Sequence, residues 1–156
     1  MDDPSDSSLS LKRQICFPFY EAANLLQQLY RPFLAPLNLT YAQYLVMLVL
    51  WGHDGKSDVT VGTIGRQLGF ETGTLSPLLK RMEAAGHVKR MRSPDDERRV
   101  IISLTQQGQF LREKAKYIPD QLLRDSGLSD AELAGLREKG QTFAHCLRTM
   151  LQNRSV

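Results

Sequence analysis

The sequence is poor in the residue types that crosslink a small protein. Of its 156 residues only two are cysteines, Cys16 and Cys146, which lie far apart and form no C-x-x-C motif. A chain of this length buries about two-thirds of its unfolded surface, so one domain can fold without a disulfide. We recognise no secretory segment, and two separate cysteines fit a reducing compartment. The sequence therefore predicts a cytoplasmic protein.

Long apolar runs and metal-ligand spacings are also missing. The longest apolar run, residues 44–51, is far too short to cross a bilayer core of about 30 Å, and it predicts a buried core helix. The three histidines, His53, His87 and His145, show no ligand spacing. We expect no membrane segment, no metal site and no cofactor.

Net charge is small but concentrated in one part of the chain. The formal charge is +3 at pH 7, and residues 66–104 hold eight basic against five acidic side chains, which accounts for all of it. A positive field confined to one region suits contact with phosphates. The modest total argues against a non-specific architectural DNA protein, whose binding depends chiefly on phosphate neutralisation.

Residues 60–104 predict a winged helix-turn-helix, in which two helices joined by a tight turn are followed by a two-stranded hairpin. Four apolar residues of the second helix recur at i, i+3, i+4 and i+7, namely Leu75, Leu78, Leu79 and Met82. The opposite face carries Gly73, Ser76, Pro77 and Lys80, with Thr74 and Arg81 on its flank. Small hydroxyls, a glycine and cations suit insertion beside base edges and phosphates.

Local signals predict where the second helix begins and ends. Thr72 or Thr74 can cap it, and a start near Thr74 places Pro77 in the first turn, where its missing N–H has no intrahelical partner. Gly86 suits the left-handed residue that follows a helix end.

The hairpin is predicted from two β-rich runs, residues 88–92 and 100–104, around the turn sequence Ser93-Pro94-Asp95-Asp96. Asp96 can orient Arg98, and an arginine at a hairpin tip can enter a narrow minor groove. A simple rim salt bridge remains an alternative for this pair. On periodicity alone, the region also fits a basic solvated hairpin joined to an ordinary αα-hairpin.

Helices are predicted before this region. The first runs from about residue 11 to 30, is ended by Pro32 and Pro36, and has an apolar stripe of Ile15, Phe19, Ala22, Leu26 and Leu29. The next covers residues 41–53, where Thr40 and Gln43 form a capping box.

Two more helices are predicted after the hairpin. One covers about residues 105–123 and is interrupted by Pro119, and the last opens with a Ser129–Glu132 capping box and runs to about residue 152. The last helix has more apolar surface than one small core needs, in Leu133, Leu136, Phe143, Leu147, Met150 and Leu151. A two-fold partner most easily buries it, and a dimer places two reading helices about 34 Å apart.

These residues resemble the MarR family of bacterial transcription regulators, and most closely its organic hydroperoxide-sensing, OhrR-type branch. The matching segments are Cys16-Phe17 with Tyr20, Tyr30-Arg31-Pro32, residues 39–48, residues 72–83 and Asp96-Glu97-Arg98-Arg99. The resemblance implies a mainly α fold with a small β-hairpin wing, dimerising through its N- and C-terminal helices. We expect a disordered polar tail over residues 1–10 and a single MarR-type domain over 11–156. Within it, the winged helix-turn-helix covers about 57–104 and the dimerisation helices about 11–36 and 105–153.

The resemblance implies a repressor rather than an enzyme, bound as a homodimer to an inverted repeat in double-stranded DNA. The expected DNA contacts are Thr72, Thr74, Ser76, Pro77, Lys80, Arg81, Arg92, Asp96, Arg98 and Arg99.

Cys16 is the residue expected to sense an organic hydroperoxide. Tyr30 and Tyr41 match the tyrosines that hydrogen-bond the reactive cysteine in this family, one of them from the partner subunit. Tyr20, one turn after Cys16, and Phe17 complete the expected pocket. The oxidised cysteine is expected to form a sulfenic acid and then a mixed disulfide with a low-molecular-weight thiol. Cys16 as a small buried hydrophobe, with the tyrosines as core residues, is the alternative.

Cys146 is a second redox candidate, although two-cysteine members of the branch carry their resolving cysteine near the position of Gln121. A one-cysteine sensor with Cys146 as a packing residue is favoured. Two further hypotheses stay open. One is a MarR-type repressor released by a reversible small aromatic ligand, with Cys16 structural. The other is a thiol peroxidase, which the lack of a C-x-x-C and of an α/β redox pattern disfavours.

Overall fold

The computed structural model describes residues 9–53, 58–124 and 126–154. Its helices are α1 (Cys16–Leu34), α2 (Tyr41–His53), α3 (Val61–Leu68), α4 (Thr72–Ala84), α5 (Gln106–Ala115), α6 (Ile118–Arg124) and α7 (Asp130–Arg154). Its strands are β1 (Val59–Thr60), β2 (Val88–Arg92) and β3 (Val100–Leu104). The mainly α fold with a small β wing is confirmed. Most of the predicted polar tail lies outside the described residues.

The chain divides into two compact units, one ending at Ile118 and the other beginning at Pro119. The first unit holds α1 to α5 and the sheet. The second holds α7 and nearly all of α6. The predicted single domain over residues 11–156 stays a prediction.

Helix α2 forms the centre of the first unit. Its buried residues are Tyr44, Val46, Met47, Val49, Leu50 and Trp51, and around them pack Ile64 of α3, Leu75 and Met82 of α4 and Ile102 of β3. A helix that is apolar on nearly every side is stable only when it is surrounded, which explains the uninterrupted run of apolar residues. The predicted capping box is confirmed, since Thr40 N–H donates to Gln43 Oε1 (2.8 Å) and Gln43 N–H donates to Thr40 Oγ1 (3.3 Å).

The predicted limits of α1 are wrong at both ends. The helix begins at Cys16 after a short 3₁₀ turn (Leu11–Arg13), with Pro18 in its first turn, where a proline breaks no helical hydrogen bond. It continues past Pro32 to Leu34, a residue only 1% exposed. Burial of Leu34 holds the last turn in place although Pro32 removes one of its hydrogen bonds.

The sheet has three antiparallel strands in the order β1-β3-β2. The hairpin of β2 and β3 has the predicted limits, and its register pairs Val88 with Leu104 and Arg92 with Val100. Strand β1 was not predicted. Because it is two residues long, it shows no alternation in the sequence, and only its pairing with β3 defines it.

The C-terminal helices begin close to where the sequence predicts. The Thr105 hydroxyl caps α5 by accepting the Gly108 N–H (3.0 Å), and the chain leaves the helix before Pro119, as expected. The Ser129–Glu132 capping box is present, with hydrogen bonds of 2.8 Å and 3.3 Å between backbone and side chains. Helix α7, described over its whole length, has no buried residue.

Within the described ranges, no single helix is long and apolar enough to cross a membrane. Residues Cys16–Leu37 and α2 reach the necessary length and apolar composition only when they are taken together, and the chain bends by 72° between them. The same ranges contain no group of three or more His, Cys, Asp or Glu side chains placed to hold a metal ion.

Candidate functional site

Helix α4 packs one face into the core and exposes the opposite face to solvent. Leu75, Leu78, Leu79 and Met82 are at most 5% exposed. The residues of the opposite face and its flanks are exposed, namely Thr72, Gly73, Thr74, Pro77, Lys80 and Arg81, while Ser76 is half-buried. The predicted division of the helix is therefore confirmed, and it leaves hydroxyls and cations free to meet a polyanion.

The predicted start of α4 is wrong. The helix begins at Thr72 behind Glu71, whose side chain makes no capping hydrogen bond. The Glu71 carbonyl accepts the N–H groups of Thr74 and Leu75, each at 3.0 Å, so the backbone itself closes the first turn. Pro77 consequently lies in the second turn. There it removes the bond to the carbonyl of Gly73, which is exposed and accessible to water.

The end of α4 is closed at Gly86, as predicted. This glycine has φ +77°, and the N–H groups of Gly86 and His87 return to the carbonyls of Glu83 (2.9 Å) and Met82 (3.0 Å). The Thr105 hydroxyl, at the start of α5, donates to the Gly86 carbonyl at 2.6 Å. Helix α4 is thereby tied at its C-terminal end to the next helix.

At the hairpin tip, Arg98 is hydrogen-bonded to Asp96. Asp96 Oδ1 accepts hydrogen bonds from the backbone N–H and the Nε of Arg98, both at 3.1 Å. These bonds lower the pKa of the Asp96 carboxyl, because they stabilise its ionised form. The Arg98 side chain remains 91% exposed. The expected orientation of Arg98 by Asp96 is confirmed, and its guanidinium is held out at the tip.

A basic hollow of about 630 Å³ separates the hairpin from helices α3 and α4. Four arginines line it, Arg66, Arg90, Arg98 and Arg99, together with hydroxyl residues that include Thr60, Thr63, Thr72 and Ser76. Arg66 and Arg90 were not among the predicted contacts. Arg90 lies two residues after buried Val88 in β2, so the alternation of the strand indicated that both side chains lie on the same face of the sheet. No local sequence pattern predicted that Arg66 lines the hollow.

Cys16 is the first residue of α1 and lies near the N-terminal end of the first unit. It is an exposed, free cysteine. Phe17 beside it is half-buried, and Tyr20, one turn later, is 68% exposed. Cys16 is therefore not part of the core of the single chain.

Three tyrosines cluster where α1 meets α2. The ring of Tyr30 lies 5.2 Å from that of Tyr41 and 5.5 Å from that of Tyr44. Burial raises the pKa of all three phenols, and the neighbouring tyrosines raise those of Tyr30 and Tyr44 further, the latter to about 12. The phenols therefore stay protonated at neutral pH, and each keeps the O–H that a hydrogen-bond donor needs.

Comparison with known proteins identifies the family. A family model described as transcriptional regulator SarA/Rot matches residues 28–115. The organic hydroperoxide resistance transcriptional regulator of Bacillus subtilis is 42% identical over 139 residues, which are 89% of this chain and 92% of that protein. The chain belongs to the MarR family of transcriptional regulators, in its OhrR-type branch.

Solved structures agree with this assignment. AbfR of Staphylococcus epidermidis is 35% identical to the OhrR-type chain and matches it with a TM-score of 0.72 over 94% of this chain and 99% of that one. Reduced AbfR bound to DNA has a TM-score of 0.73 at 34% identity, over 92% and 99% of the two chains. AbfR has also been solved overoxidised and bound to DNA, and in a disulfide-formed state. The protein is thus a DNA-binding transcriptional regulator and not an enzyme.

One OhrR-type chain does not by itself assemble the expected sensor pocket. Cys16 and Tyr30 lie on the same continuous helix fourteen residues apart, which corresponds to about 21 Å along its axis. Tyr41 packs on Tyr30 at that far end. Cys146, the second exposed cysteine, lies in α7 of the other compact unit. Any contact between Cys16 and these tyrosines must therefore come from another copy of the chain.

Proposed function

We propose that this regulator is a homodimeric repressor of the bacterial cytoplasm that senses organic hydroperoxides through Cys16. In this proposal the reduced dimer holds an inverted repeat and releases it when Cys16 is oxidised. The observation that carries the proposal is the position of Cys16, exposed on the first turn of α1 beside an uncovered apolar surface.

The uncovered surface of α1 supports the dimer. Four members of the predicted stripe are exposed in the single chain, Ile15 by 65%, Phe19 by 46%, Leu26 by 38% and Leu29 by 56%. Apolar side chains repeated along one helix favour burial against a partner. Exposed apolar residues of α7, among them Leu136, Leu147, Met150 and Leu151, support its participation in the same way.

Two-fold symmetry supplies the missing contact. In an antiparallel pair of α1 helices centred near residue 23, Cys16 of one protomer lies opposite the partner subunit's Tyr30. Ala22 and Ala23 stand at that centre, and their small side chains permit two helices to approach closely. A tyrosine hydroxyl that stays protonated then donates a hydrogen bond to the sulfur and favours its thiolate.

The chemistry needs only the hydroperoxide and a thiol. The Cys16 thiolate attacks a peroxide oxygen, so that an S–O bond forms as the O–O bond breaks, and the alkoxide leaves and is protonated to an alcohol. The sulfur is oxidised to a sulfenic acid. A low-molecular-weight thiol then displaces water and forms a mixed disulfide. Phe17 and the neighbouring apolar side chains of α1 favour a bulky organic peroxide over hydrogen peroxide.

DNA release follows if the oxidised sulfur disturbs the dimer. The reading surface we assign consists of Thr72, Thr74, Ser76, Pro77, Lys80, Arg81, Arg92, Asp96, Arg98 and Arg99, with α4 in the major groove and the wing tip in the minor groove. Polar bulk inserted at a packed helix pair shifts both reading surfaces, because such interfaces switch between discrete arrangements. AbfR has been solved in reduced, overoxidised and disulfide-formed states, which supports oxidation sensing in a related protein. Its reduced and overoxidised forms are both bound to DNA, so the release of DNA proposed here depends on the experiment below.

The test compares wild type, Cys16→Ser and Cys146→Ser on an inverted-repeat duplex that the reduced wild-type chain has selected from a random library. Cumene hydroperoxide is added stoichiometrically while DNA binding is followed by fluorescence anisotropy. We expect wild type and Cys146→Ser to release the duplex and Cys16→Ser to keep it. Release by Cys16→Ser, or retention by wild type, would refute the oxidation mechanism and leave a ligand-released MarR-type repressor.

A further inference from the structure

Glu83 joins the recognition helix to the wing. Its Oε1 accepts the backbone N–H of Arg90 in β2 at 2.9 Å, and its Oε2 lies 3.7 Å from Nη1 of the same arginine. One carboxylate thus binds both the main chain and the side chain of Arg90. Strand β2 is an edge strand of the sheet, and this bond to Glu83 ties that edge to α4.

The position of Glu83 in α4 is electrostatically unfavourable, which calls for a structural reason. It is the one acidic residue of α4, a helix described over its whole length, and it lies near the C-terminal end, where the helix dipole disfavours a negative charge. It also places that charge on the element that approaches DNA phosphates. Pairing with Arg90 offsets both disadvantages.

Arg90 connects this contact to the basic hollow. It lines the hollow with Arg98 and Arg99, and its side chain is 24% exposed. Its Nε is buried and finds no acceptor among the described residues, so a donor remains beside the surface that faces DNA. Arg90 lies between α4 and the other arginines of the wing. A contact that holds Arg90 against α4 therefore also sets the distance from α4 to Arg98 and Arg99.

We propose that Glu83 is a positioning residue for DNA recognition. By holding Arg90 it sets the separation of α4 and the wing, so that Arg98 reaches the minor groove while α4 occupies the major groove. The inference rests on the proposed DNA-binding mode and is independent of Cys16 oxidation. A failed oxidation test therefore leaves it standing.

The sign of the effect of Glu83→Ala separates this role from a simple charge effect. Removal of a negative charge beside phosphates should, by electrostatics alone, strengthen DNA binding. If Glu83 positions the wing, Glu83→Ala instead weakens binding, by up to roughly tenfold, the effect of losing the charged hydrogen bond that Arg98 makes to DNA. Glu83→Gln keeps an acceptor for the Arg90 N–H, so it should recover most of the affinity.

The experiment measures the affinity of the reduced full-length variants for the selected inverted-repeat duplex at several salt concentrations. Glu71→Gln is the matched control, because it removes the same charge from the N-cap position of the same helix, where the side chain makes no capping hydrogen bond. It should bind as well as wild type or better. Circular dichroism melts establish that each variant is folded. If Glu83→Ala is not, Glu83→Leu takes its place, because it also removes both acceptors of Arg90 but keeps the bulk of the side chain.

A double-mutant cycle with Arg98→Ala shows whether Glu83 acts through the wing. If it does, Glu83→Ala costs less than about twofold once Arg98 is absent, because the contact that it positions has already been lost. Additive losses in the cycle would overturn the proposal. So would binding by Glu83→Ala that equals or exceeds that of wild type.

Discussion

The indole nitrogen of Trp51 donates a 3.0 Å hydrogen bond to the carbonyl of Gly108, and this bond links α2 at the centre of the core to α5. Gly108 also packs against the backbone carbonyl of His87, the residue that closes the Gly86 turn after α4. The contacts of Gly108 therefore join α2, α5 and the end of α4.

Gly108→Ala should destabilise the protein, because a Cβ at this position overlaps the His87 carbonyl oxygen and the backbone must shift. We expect the free energy of unfolding in urea to fall by about 1–3 kcal/mol, the usual cost of overpacking. Gly135→Ala is the control. Apart from its chain neighbours and the backbone of its own helix, no atom of the described residues lies within 4 Å of the added Cβ, so the alanine should stabilise α7 by about 0.5–1 kcal/mol. Equal effects at the two positions would contradict the packing of Gly108.

Alkaline pH should destabilise the protein through Tyr44. Its pKa is raised from 10.0 to about 12 in the folded chain, chiefly by burial, so the unfolded chain loses this proton first as the pH rises. The free energy of unfolding is therefore unaffected by Tyr44 below about pH 10. It should then decline toward pH 12 by roughly 2–3 kcal/mol from this group, with a further decline from Tyr30 and Tyr41, whose pKa values are also raised.

Denaturation of wild type and Tyr44→Phe between pH 8 and about pH 12 measures this effect. The phenylalanine variant should lose less stability over the alkaline range. Tyr117→Phe, which alters an exposed tyrosine, should follow wild type. A Tyr44→Phe variant with the same alkaline slope as wild type would mean that Tyr44 titrates alike in the folded and unfolded chains.

Arg98→Ala should weaken operator binding and lower its salt dependence. Loss of one phosphate or groove contact reduces the slope of log K against log salt by about 1. Asp96→Ala should produce part of this loss, because the Arg98 guanidinium is then no longer oriented. Asp95→Asn removes a charge from the same tip and should bind slightly better than wild type. An unchanged slope for Arg98→Ala would exclude its contact with DNA.

A charge on the exposed face of α1 should separate the protomers. Leu26→Glu places a carboxylate in the proposed interface, where its desolvation is unfavourable. Sedimentation velocity should then show a monomer at concentrations where wild type is a dimer. Gln28→Glu, at an exposed polar position of the same helix, should remain dimeric. A dimeric Leu26→Glu variant would place the interface elsewhere.

The sequence predicted well those features that depend on near neighbours in the chain. The limits of α2, β2 and β3, the two faces of α4 and the Gly86 turn all follow from periodicity, capping and turn chemistry. The pairing of Asp96 with Arg98 is equally local, since only Glu97 lies between them. The start of α4 was missed because backbone hydrogen bonds to Glu71 close its first turn, and no side-chain cap marks it.

Neighbouring residues in the chain were therefore enough to predict the type and order of most elements, the exposed polar face of α4 and the family. Contacts between residues distant in the chain account for the rest. Burial of Leu34 carries α1 past Pro32, pairing with β3 creates β1, and the contact of Glu83 with Arg90 joins helix to wing. Each of these depends on groups brought together by packing, which a pattern of neighbouring residues does not encode.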